Sequence, residues 1–240
     1  MRNTRPTVAA VLAGGQGTRM GAALPKQFID LAGKPVLGHA LEAFDAAEAV
    51  DRILVVGVER ELDRIRRIAA GSTKFAGAVA GGATRSESSK AAVRWTEDHF
   101  GTECDLLIHD AARALVTPNL INRVASGLER HAAVTAAVPS RDTVVQVRHD
   151  QDGEFLSRSL ERDELRRVQT PQAFHLAVIR DAYRAAETDP DFSATDDCSV
   201  VLRYLPHIPV AAVAGDERNL KVTEPLDLAV AGALLEADGV

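Results

Sequence analysis

The sequence predicts a three-layer α/β fold with a mostly parallel sheet, and three observations support this prediction. Short apolar runs rich in Val, Ile, Leu and Ala alternate with Ala-rich amphipathic stretches, as in successive βαβ units. A length of 240 residues with 46% hydrophobic residues is enough for a sizeable core. Polar and glycine-rich segments recur directly after the predicted strands, where open α/β sheets bind ligands. We therefore expect one domain over residues 1–240.

The individual elements are assigned from apolar runs and from hydrophobic periodicity. Short apolar runs predict strands at residues 8–12, 53–58, 76–80, 106–109, 133–139 and 208–213. Apolar residues at helical spacing predict helices at 35–47, 59–70, 86–99, 118–130, 176–186 and 194–203, and a last helix from about residue 224. Pro118 stands in the first turn of its helix, where the missing N–H has no intrahelical partner to lose.

The regular alternation is interrupted at about residues 141–165. The apolar segments at 144–147 and 155–156 flank the Asp-Gly pair at 152–153, a dipeptide that favours a tight hairpin turn. We therefore expect an inserted β-hairpin that projects from the domain as an arm, and residues 141–165 are called the arm below.

Composition excludes several classes of partner. A net charge of -6 provides no global positive field, so we expect no nucleic acid partner. No apolar run approaches the roughly 18–20 residues needed to span a bilayer, and the start of the chain lacks the pattern of a signal peptide. Cys104 and Cys198 lack metal-ligand spacing and are interpreted as buried thiols. These features predict a soluble cytoplasmic protein without membrane attachment.

A glycine-rich segment, LAGGQGTRM at residues 12–20, follows the first predicted strand. Its three glycines allow backbone amides to close around an anion, and Arg19 and Lys26 add positive charge beyond them. The segment matches neither a Walker A loop nor a Gly-x-Gly-x-x-Gly turn. Because turns after strands often need glycine for structure alone, the loop by itself indicates only that a triphosphate could be held there.

Two further segments follow predicted strands: GGATRS at 81–86 and HDAAR at 109–113. Asp110 could hold Mg²⁺, which takes one or two carboxylates together with phosphate oxygens, or it could cap a helix or pair with Arg113. Arg113 could bind a phosphate with two parallel hydrogen bonds, or form a surface ion pair. We interpret His109 as structural, because transfer to an already ionised phosphate needs no dedicated base.

Motifs spread along the chain resemble those of the 2-C-methyl-D-erythritol 4-phosphate cytidylyltransferases, in the same order. They are HDAAR at 109–113, RDT at 141–143, QTPQ at 169–172 and NLKVT at 219–223, and the resemblance extends over about residues 8–228. It implies a Rossmann-like nucleotidyltransferase sheet. It also implies a reaction of CTP with 2-C-methyl-D-erythritol 4-phosphate that gives 4-diphosphocytidyl-2-C-methyl-D-erythritol and pyrophosphate, in non-mevalonate isoprenoid biosynthesis.

The resemblance also implies a role for each matching residue. The residues that would neutralise the phosphates are Arg19, Lys26 and Lys221, with Asp110 holding Mg²⁺. The cytidine side would be lined by Ala13, Gly14, Gly15, Gly82, Ser88 and Ala111. The acceptor would be contacted by Arg113 and Thr170. The arm residues Thr143 and Arg162 would reach the site of a partner subunit, which implies a homodimer. Taken alone, Thr170 could simply end a strand and Arg162 could lie on a charged helix face.

The chain departs from the family pattern at a few positions, which keeps alternatives open. LAGG at 12–15 and PKQF at 25–28 look more like the related ribitol-5-phosphate cytidylyltransferases. Ala83 and Ala114 replace an acidic residue and a proline that are common in the family, whereas DAAR at 110–113 and RDT at 141–143 favour the methylerythritol branch. Asp216 does not match convincingly as a second metal ligand.

Two other functions are compatible with parts of this sequence. A non-catalytic nucleotide-binding regulatory module is disfavoured because the charged candidates at 19, 26, 110, 113 and 221 are all present. A sugar-1-phosphate nucleotidyltransferase would explain the opening loop but not the RDT and QTPQ motifs.

Overall fold

A mostly parallel sheet lies at the centre of the computed structural model, which describes residues 5–15 and 24–237. Its strands are β1 (Thr7–Ala13), β2 (Asp30–Leu31), β3 (Lys34–Pro35), β4 (Arg52–Gly57), β5 (Phe75–Ala80), β6 (Asp105–Asp110), β7 (Ala133–Pro139), β8 (Val145–Asp150), β9 (Gly153–Ser159), β10 (Arg166–His175) and β11 (Val210–Ala214). Its helices are α1 (Val36–Ala46), α2 (Leu62–Ala69), α3 (Arg85–Phe100), α4 (Pro118–Ser126), α5 (Leu176–Ala186), α6 (Asp197–Tyr204) and α7 (Pro225–Ala237).

Within the described residues, the main sheet has seven strands in the order β11-β7-β10-β6-β1-β4-β5. Strand β10 runs antiparallel to both of its neighbours, β7 and β6, and the remaining neighbours pair in parallel. The predicted α/β fold with a mostly parallel sheet is therefore confirmed.

Helices cover both faces of this sheet, which gives the three layers. Residues of β1 alternate between the faces: Ala9 and Val11 belong to the core packed under α1, α2 and α4, whereas Val8 and Ala10 belong to the core under α3, α5 and α6. Every residue of β1 is buried. A central strand covered on both faces consists of consecutive apolar residues, and for this reason β1 can be predicted from the sequence.

Strand β10 is the main element that the sequence analysis did not assign. Its middle holds Pro171, which lacks an N–H for a sheet ladder and is a signal against a central strand. The structure accommodates the proline by shifting the pairing register with β7 between Gln169 and Gln172. Hydrogen-bonded pairing with β7 resumes at Gln172, so β10 remains one strand between β7 and β6 despite the proline.

Several predicted helices begin or end differently in the structure. The predicted helix at 59–70 starts as a 3-10 turn at Glu59–Glu61 before α2 begins. Helix α6 begins at Asp197 rather than at 194, because the Asp196 side chain accepts a hydrogen bond from the Ser199 N–H and caps the helix.

The predicted hairpin is present as the antiparallel pair β8 and β9. The two-residue turn is formed by Gln151 and Asp152, one residue earlier than the Asp-Gly pair predicted, and Gly153, at φ 133°, follows it as the first residue of β9. Val147 and Leu156 are cross-strand partners and are 42% and 74% exposed. The arm therefore presents apolar side chains to solvent in an isolated chain.

Neither of the two cysteines is in a disulfide, and both Cys104 and Cys198 are buried, as expected. Among the helices formed by the described residues, none is both long and apolar enough to cross a membrane.

Candidate active site

A cavity of about 540 Å³ opens at the carboxyl ends of β1, β5 and β6. It is lined by Leu12, Ala13, Gly14, Gly15, Lys26, Gln27, Val58, Glu59, Gly81, Gly82, Ala83, Thr84, Arg85, Ser88, Asp110, Ala111, Ala112 and Lys221. The three segments that the sequence analysis placed after strands thus meet in one cavity. This is the position that the topology of an open α/β sheet predicts for a ligand.

The start of the glycine-rich loop is held against the rest of the cavity by hydrogen bonds. The buried Gln27 donates its Nε2 proton to the carbonyl of Ala13 over 2.7 Å. The Ala111 N–H donates to the carbonyl of Leu12 over 3.0 Å. These two bonds fix the end of β1, so that Gly14 and Gly15 follow it directly into the cavity.

The opposite wall of the cavity is the beginning of α3. Thr84 caps this helix in a capping box with Glu87, and a Cβ added to Gly82 would lie 2.2 Å from the Cβ of Glu87. Glycine is therefore required where the chain turns closely into the helix. Because the N-terminal end of a helix favours anions, this wall is suited to a negatively charged ligand.

Asp110 is the centre of the charged groups in the cavity. Its Oδ1 accepts a hydrogen bond from Arg85 Nε over 3.1 Å, and its Oδ2 lies 2.7 Å from Lys221 Nζ. Burial alone would raise the pKa of Asp110, but the charges of Arg85 and Lys221 outweigh it and hold the pKa well below its ordinary value. Asp110 is thus an ionised carboxylate with a cation on each oxygen, and it is not paired with Arg113.

Lys26 reaches the same cavity from the other side of the glycine loop. Its Nζ donates to the carbonyl of Val222 over 2.8 Å, next to Lys221 in the sequence. The Val222 N–H in turn donates to the carbonyl of Ala112 over 2.8 Å. Backbone of the 219–223 segment therefore connects Lys26 with the loop after β6, and brings two lysines to one cavity.

A chain of hydrogen bonds beneath Asp110 explains the role of His109. Thr170 Oγ1 accepts from the Asp110 N–H over 3.1 Å and lies 3.1 Å from His109 Nδ1. The hydroxyl proton is then donated to Nδ1, which assigns the ring proton to Nε2, 3.2 Å from the carbonyl of Arg113. Burial lowers the pKa of His109 to about 4, so the ring is neutral near pH 7.

Arg113 and Thr170 are joined to the 219–223 segment by Asn219. Arg113 Nη1 donates to the carbonyl of Asn219 over 2.7 Å, and Asn219 Nδ2 donates to the carbonyl of Thr170 over 2.9 Å. Burial lowers the pKa of Arg113, although Asp110 acts in the opposite direction. Three motifs that are far apart in the sequence are therefore one hydrogen-bonded unit beside the cavity.

The structure brings most of the predicted site residues together. The cavity is lined by Ala13, Gly14, Gly15, Lys26, Gly82, Ser88, Asp110, Ala111 and Lys221, and Arg113 and Thr170 lie next to it. Thr143 and Arg162 are exposed on the arm and do not line the cavity of their own chain. Arg19 lies outside the described residues.

Three polar residues around the site, Arg85, Asp197 and Asn219, have no role that the sequence alone predicts. Arg85 stood in the quoted GGATRS segment, but its partners Asp110 and Asp197 are 25 and 112 residues away. The signal that could have pointed to it is an arginine three residues after a pair of glycines at the end of a strand.

A divalent cation at this site would depend on oxygens that the ligand brings. Within the described residues, no group of three or more His, Cys, Asp or Glu side chains is arranged to hold a metal. Among the described residues that line the cavity, Asp110 and Glu59 are acidic. Since Mg²⁺ is commonly bound by one or two carboxylates and by substrate phosphates, this donor set fits a cation that enters with a nucleotide. Asp216 does not line the cavity.

The chain is similar to known proteins over almost its whole length. A family model described as 2-C-methyl-D-erythritol 4-phosphate cytidylyltransferase matches residues 7–237. The enzyme of that name from Thermobifida fusca is 51% identical over 235 residues, which cover 96% of this chain and 94% of the relative. A ribitol-5-phosphate cytidylyltransferase from Lactiplantibacillus plantarum is 37% identical, with coverage of 95% and 97%.

Solved structures agree with this similarity. The 4-diphosphocytidyl-2C-methyl-D-erythritol synthase from Anaerococcus prevotii superposes with a TM-score of 0.83 at 25% identity, covering 98% of this chain and 100% of that chain. The chain therefore belongs to the 2-C-methyl-D-erythritol 4-phosphate cytidylyltransferase family.

Proposed function

We propose that the protein transfers the cytidylyl group of CTP to 2-C-methyl-D-erythritol 4-phosphate and releases pyrophosphate. This proposal rests on the cavity in which Arg85 and Lys221 hold the ionised Asp110, and which Lys26 also lines, beside two glycine-rich walls. Family membership supplies the reaction, and this arrangement is suited to it. We also infer that residues 1–240 act as one nucleotidyltransferase domain that carries the arm.

The reaction needs charge neutralisation more than proton transfer. The acceptor phosphate attacks the α-phosphorus of CTP in line, and negative charge moves toward the leaving pyrophosphate. Lys26 and Lys221 would neutralise this charge, together with Arg19. His109 has no part in the transfer, because its ring is buried and its nitrogens are engaged with Thr170 and the backbone.

The walls of the cavity would bind the rest of the nucleotide. Gly14 and Gly15 on one side and Gly82 on the other allow close approach of the backbone, and Ala13, Ser88 and Ala111 complete the cytidine side. Arg113 and Thr170 border the cavity and would contact the acceptor. Their bonds to Asn219 keep both groups in fixed positions.

We assign Mg²⁺ as the cofactor, held by Asp110 and by phosphate oxygens of CTP. When bound, the cation would reduce the charge of the triphosphate and make pyrophosphate a better leaving group. Lys221 Nζ, 2.7 Å from Asp110 Oδ2, is close enough to move from the carboxylate to a phosphate when the nucleotide enters.

We further propose a homodimer in which each arm completes the site of the other subunit. Thr143 and Arg162 do not line the cavity of their own chain, and the arm exposes the apolar Leu156 and Val147. Burial of this apolar surface against a second copy would supply the driving force for association.

Mixing two inactive variants tests whether the site is shared. Lys26→Met inactivates the cavity of its own chain, whereas Arg162→Ala inactivates the arm. A hybrid dimer of the two has one site with an intact cavity and an intact arm, so unfolding and refolding them together is expected to restore roughly a quarter of the activity. If the mixture stays as inactive as its components, the arm does not serve the partner's site.

We place the protein in the cytoplasm, where buried free thiols such as Cys104 and Cys198 remain reduced. The substrates that we propose give no reason to expect nucleic acid or a membrane as a partner.

An assay with two acceptors tests the proposed reaction and the alternative ribitol-5-phosphate reaction together. The protein is incubated with CTP, Mg²⁺ and either 2-C-methyl-D-erythritol 4-phosphate or ribitol 5-phosphate, and pyrophosphate is measured. We expect turnover with the first acceptor, in line with 51% identity to the methylerythritol enzyme and 37% to the ribitol enzyme. Turnover with ribitol 5-phosphate alone would assign the chain to the sister activity.

Variants of the cavity show whether the measured activity comes from this site. Lys26→Ala and Asp110→Ala are each expected to lower kcat by about 10²–10³-fold, because the first removes a cation that would neutralise the phosphates and the second removes the carboxylate that would hold Mg²⁺. CTP binding without turnover on either acceptor would instead favour a regulatory nucleotide-binding module.

A further inference from the structure

Arg85 connects Asp110 with a second, completely buried carboxylate. Its Nε donates to Asp110 Oδ1 over 3.1 Å, and its Nη1 donates to Asp197 Oδ2 over 2.8 Å. The Asp197 side chain has 0% exposure and the Arg85 side chain 23%. One guanidinium thus bridges a carboxylate that lines the cavity and one that lies behind it.

Asp197 is itself fixed on several sides. Its Oδ1 accepts a hydrogen bond from the Tyr183 hydroxyl over 2.6 Å. Its backbone N–H donates to Oε1 of the buried Gln172 over 2.9 Å. Because Tyr183 lies on α5, Asp197 on α6 and Gln172 on β10, the bridge connects Asp110 to the helical layer behind the sheet.

This arrangement determines which oxygen of Asp110 is available to a ligand. Oδ1 is held by Arg85, whereas Oδ2 contacts Lys221, whose side chain is 40% exposed. An arginine can hold two carboxylates at once through separate nitrogens, which a lysine ammonium does with much less geometric control. The two neighbouring carboxylates also raise the pKa of Arg85 despite its burial, so the bridge stays charged.

We infer that Arg85 is a positioning residue for the proposed transfer reaction: anchored by Asp197, it fixes the carboxylate of Asp110 so that Oδ2 points into the cavity. The inference rests on the proposed function, and it assigns Arg85 no contact with the substrate. Its action passes through Asp110.

A double-mutant cycle tests this dependence. Arg85→Met, Asp110→Asn and the double variant are compared with the unaltered protein in steady-state pyrophosphate release, with CTP and the acceptor in excess over the enzyme. Arg85→Met is expected to lower the rate at saturating CTP by about 30-fold and to change the KM for CTP by less than about threefold. In the Asp110→Asn background the same substitution is expected to have almost no further effect, because Arg85 acts only through the carboxylate that Asp110→Asn has already removed.

A matched control and a second variant separate positioning from stability. Arg180 Nη1 bridges α5 to Glu97 Oε1 on α3 over 3.0 Å without contact to Asp110, so Arg180→Met should leave the rate within about twofold. Since Arg85→Met leaves Asp197 buried without its cation, Arg85→Met/Asp197→Asn serves as a better-folded companion. It should show the same loss of rate.

Binding measurements provide a readout that does not depend on turnover. Calorimetry of CTP binding with and without Mg²⁺ is expected to show that Arg85→Met and Asp110→Asn reduce the Mg²⁺-dependent gain in affinity by the same factor, and that the double variant reduces it no further. If the unaltered protein shows no turnover with either acceptor, the proposed function fails. The comparison of CTP binding by the single and double variants then tests by itself whether Arg85 positions Asp110. Independent, multiplying effects of the two substitutions, or an effect of Arg85→Met no larger than that of Arg180→Met, would overturn the inference.

Discussion

At the scale of single residues, His109 shows how a side chain with catalytic chemistry acts as a structural support. It lies directly before Asp110, yet its ring is buried and packs edge-on against Phe44 with 5.0 Å between ring centroids. Both ring nitrogens have partners, one in Thr170 and one in the carbonyl of Arg113. The ring therefore orients the loop after β6 instead of moving protons.

The burial of His109 predicts a pH-dependent stability. Its pKa is lowered from 6.5 to about 4 in the folded state, so between these values the unfolded chain binds a proton that the folded chain does not. The contribution is fully present above pH 6.5 and is lost as the pH falls toward 4. Between about pH 7 and about pH 5 the free energy of unfolding should fall by about 2 kcal/mol on account of this residue.

Urea unfolding of the protein and of His109→Gln at both pH values measures this effect. Other groups contribute equally to both proteins, so the difference between their pH dependences isolates His109. If the free energy of unfolding changes equally with pH in the two proteins, the ring is not buried in its neutral form.

At the scale of elements, the arm has an apolar surface that its own chain leaves uncovered. Val147 and Leu156 lie across from each other on β8 and β9, and both are exposed although apolar. On the other side of the hairpin, Arg148 stacks over Phe155 at 4.7 Å. An isolated two-stranded hairpin is only marginally stable, so a partner surface would also stabilise the arm itself.

We predict that Leu156→Glu shifts the protein from dimer to monomer and lowers kcat at the same time. A buried carboxylate without a partner opposes association, and loss of the dimer removes Thr143 and Arg162 from the partner's site. Sedimentation velocity at assay concentration measures the first effect and pyrophosphate release the second.

Leu202→Glu is the control, because it makes the same change at a leucine on α6 that is 58% exposed and distant in sequence from the arm. It should leave both the sedimentation coefficient and kcat unchanged. A Leu156→Glu variant that sediments like the unaltered protein would contradict the proposed dimer.

At the scale of the whole molecule, the sheet brings distant segments of the chain to one cavity. Four segments contribute charged or glycine-rich walls: the loop after β1, the beginning of α3, the loop after β6 and the 219–223 segment. Among the described lining residues, Lys26, Arg85 and Lys221 are cationic, whereas Glu59 and Asp110 are acidic. A local positive excess thus exists in a protein with a net charge of -6.

This concentration of cations predicts that CTP stabilises the folded protein. At a CTP concentration of roughly 100 times Kd, the stabilisation is about 2.7 kcal/mol, which corresponds to a rise in Tm of roughly 5–10 °C for a chain of this length. Thermal unfolding with and without CTP and Mg²⁺ measures the shift. Lys26→Met is expected to reduce it strongly, and an unchanged Tm of the unaltered protein at saturating CTP would count against a nucleotide site.

The sequence by itself determined the fold class, the glycine loop and most of the cavity residues. Strand β1 could be identified because a strand buried on both faces is apolar throughout, and Lys26, Asp110 and Lys221 could be identified because each lies in a local motif. Each of these features is a pattern of residues adjacent in the chain, and such local patterns can be recognised from the sequence without the structure.

Tertiary structure alone decided the course of β10 and the partners of the charged groups. Pro171 is a signal against a central strand, and only the structure shows that a register shift between β10 and β7 accommodates it. Arg85 bridges Asp110 and Asp197 over separations of 25 and 112 residues, and nothing near it in the chain indicates either partner. Pairing energies in a buried site depend on distance in space and on the exclusion of water, and both arise only when the layers pack on the sheet.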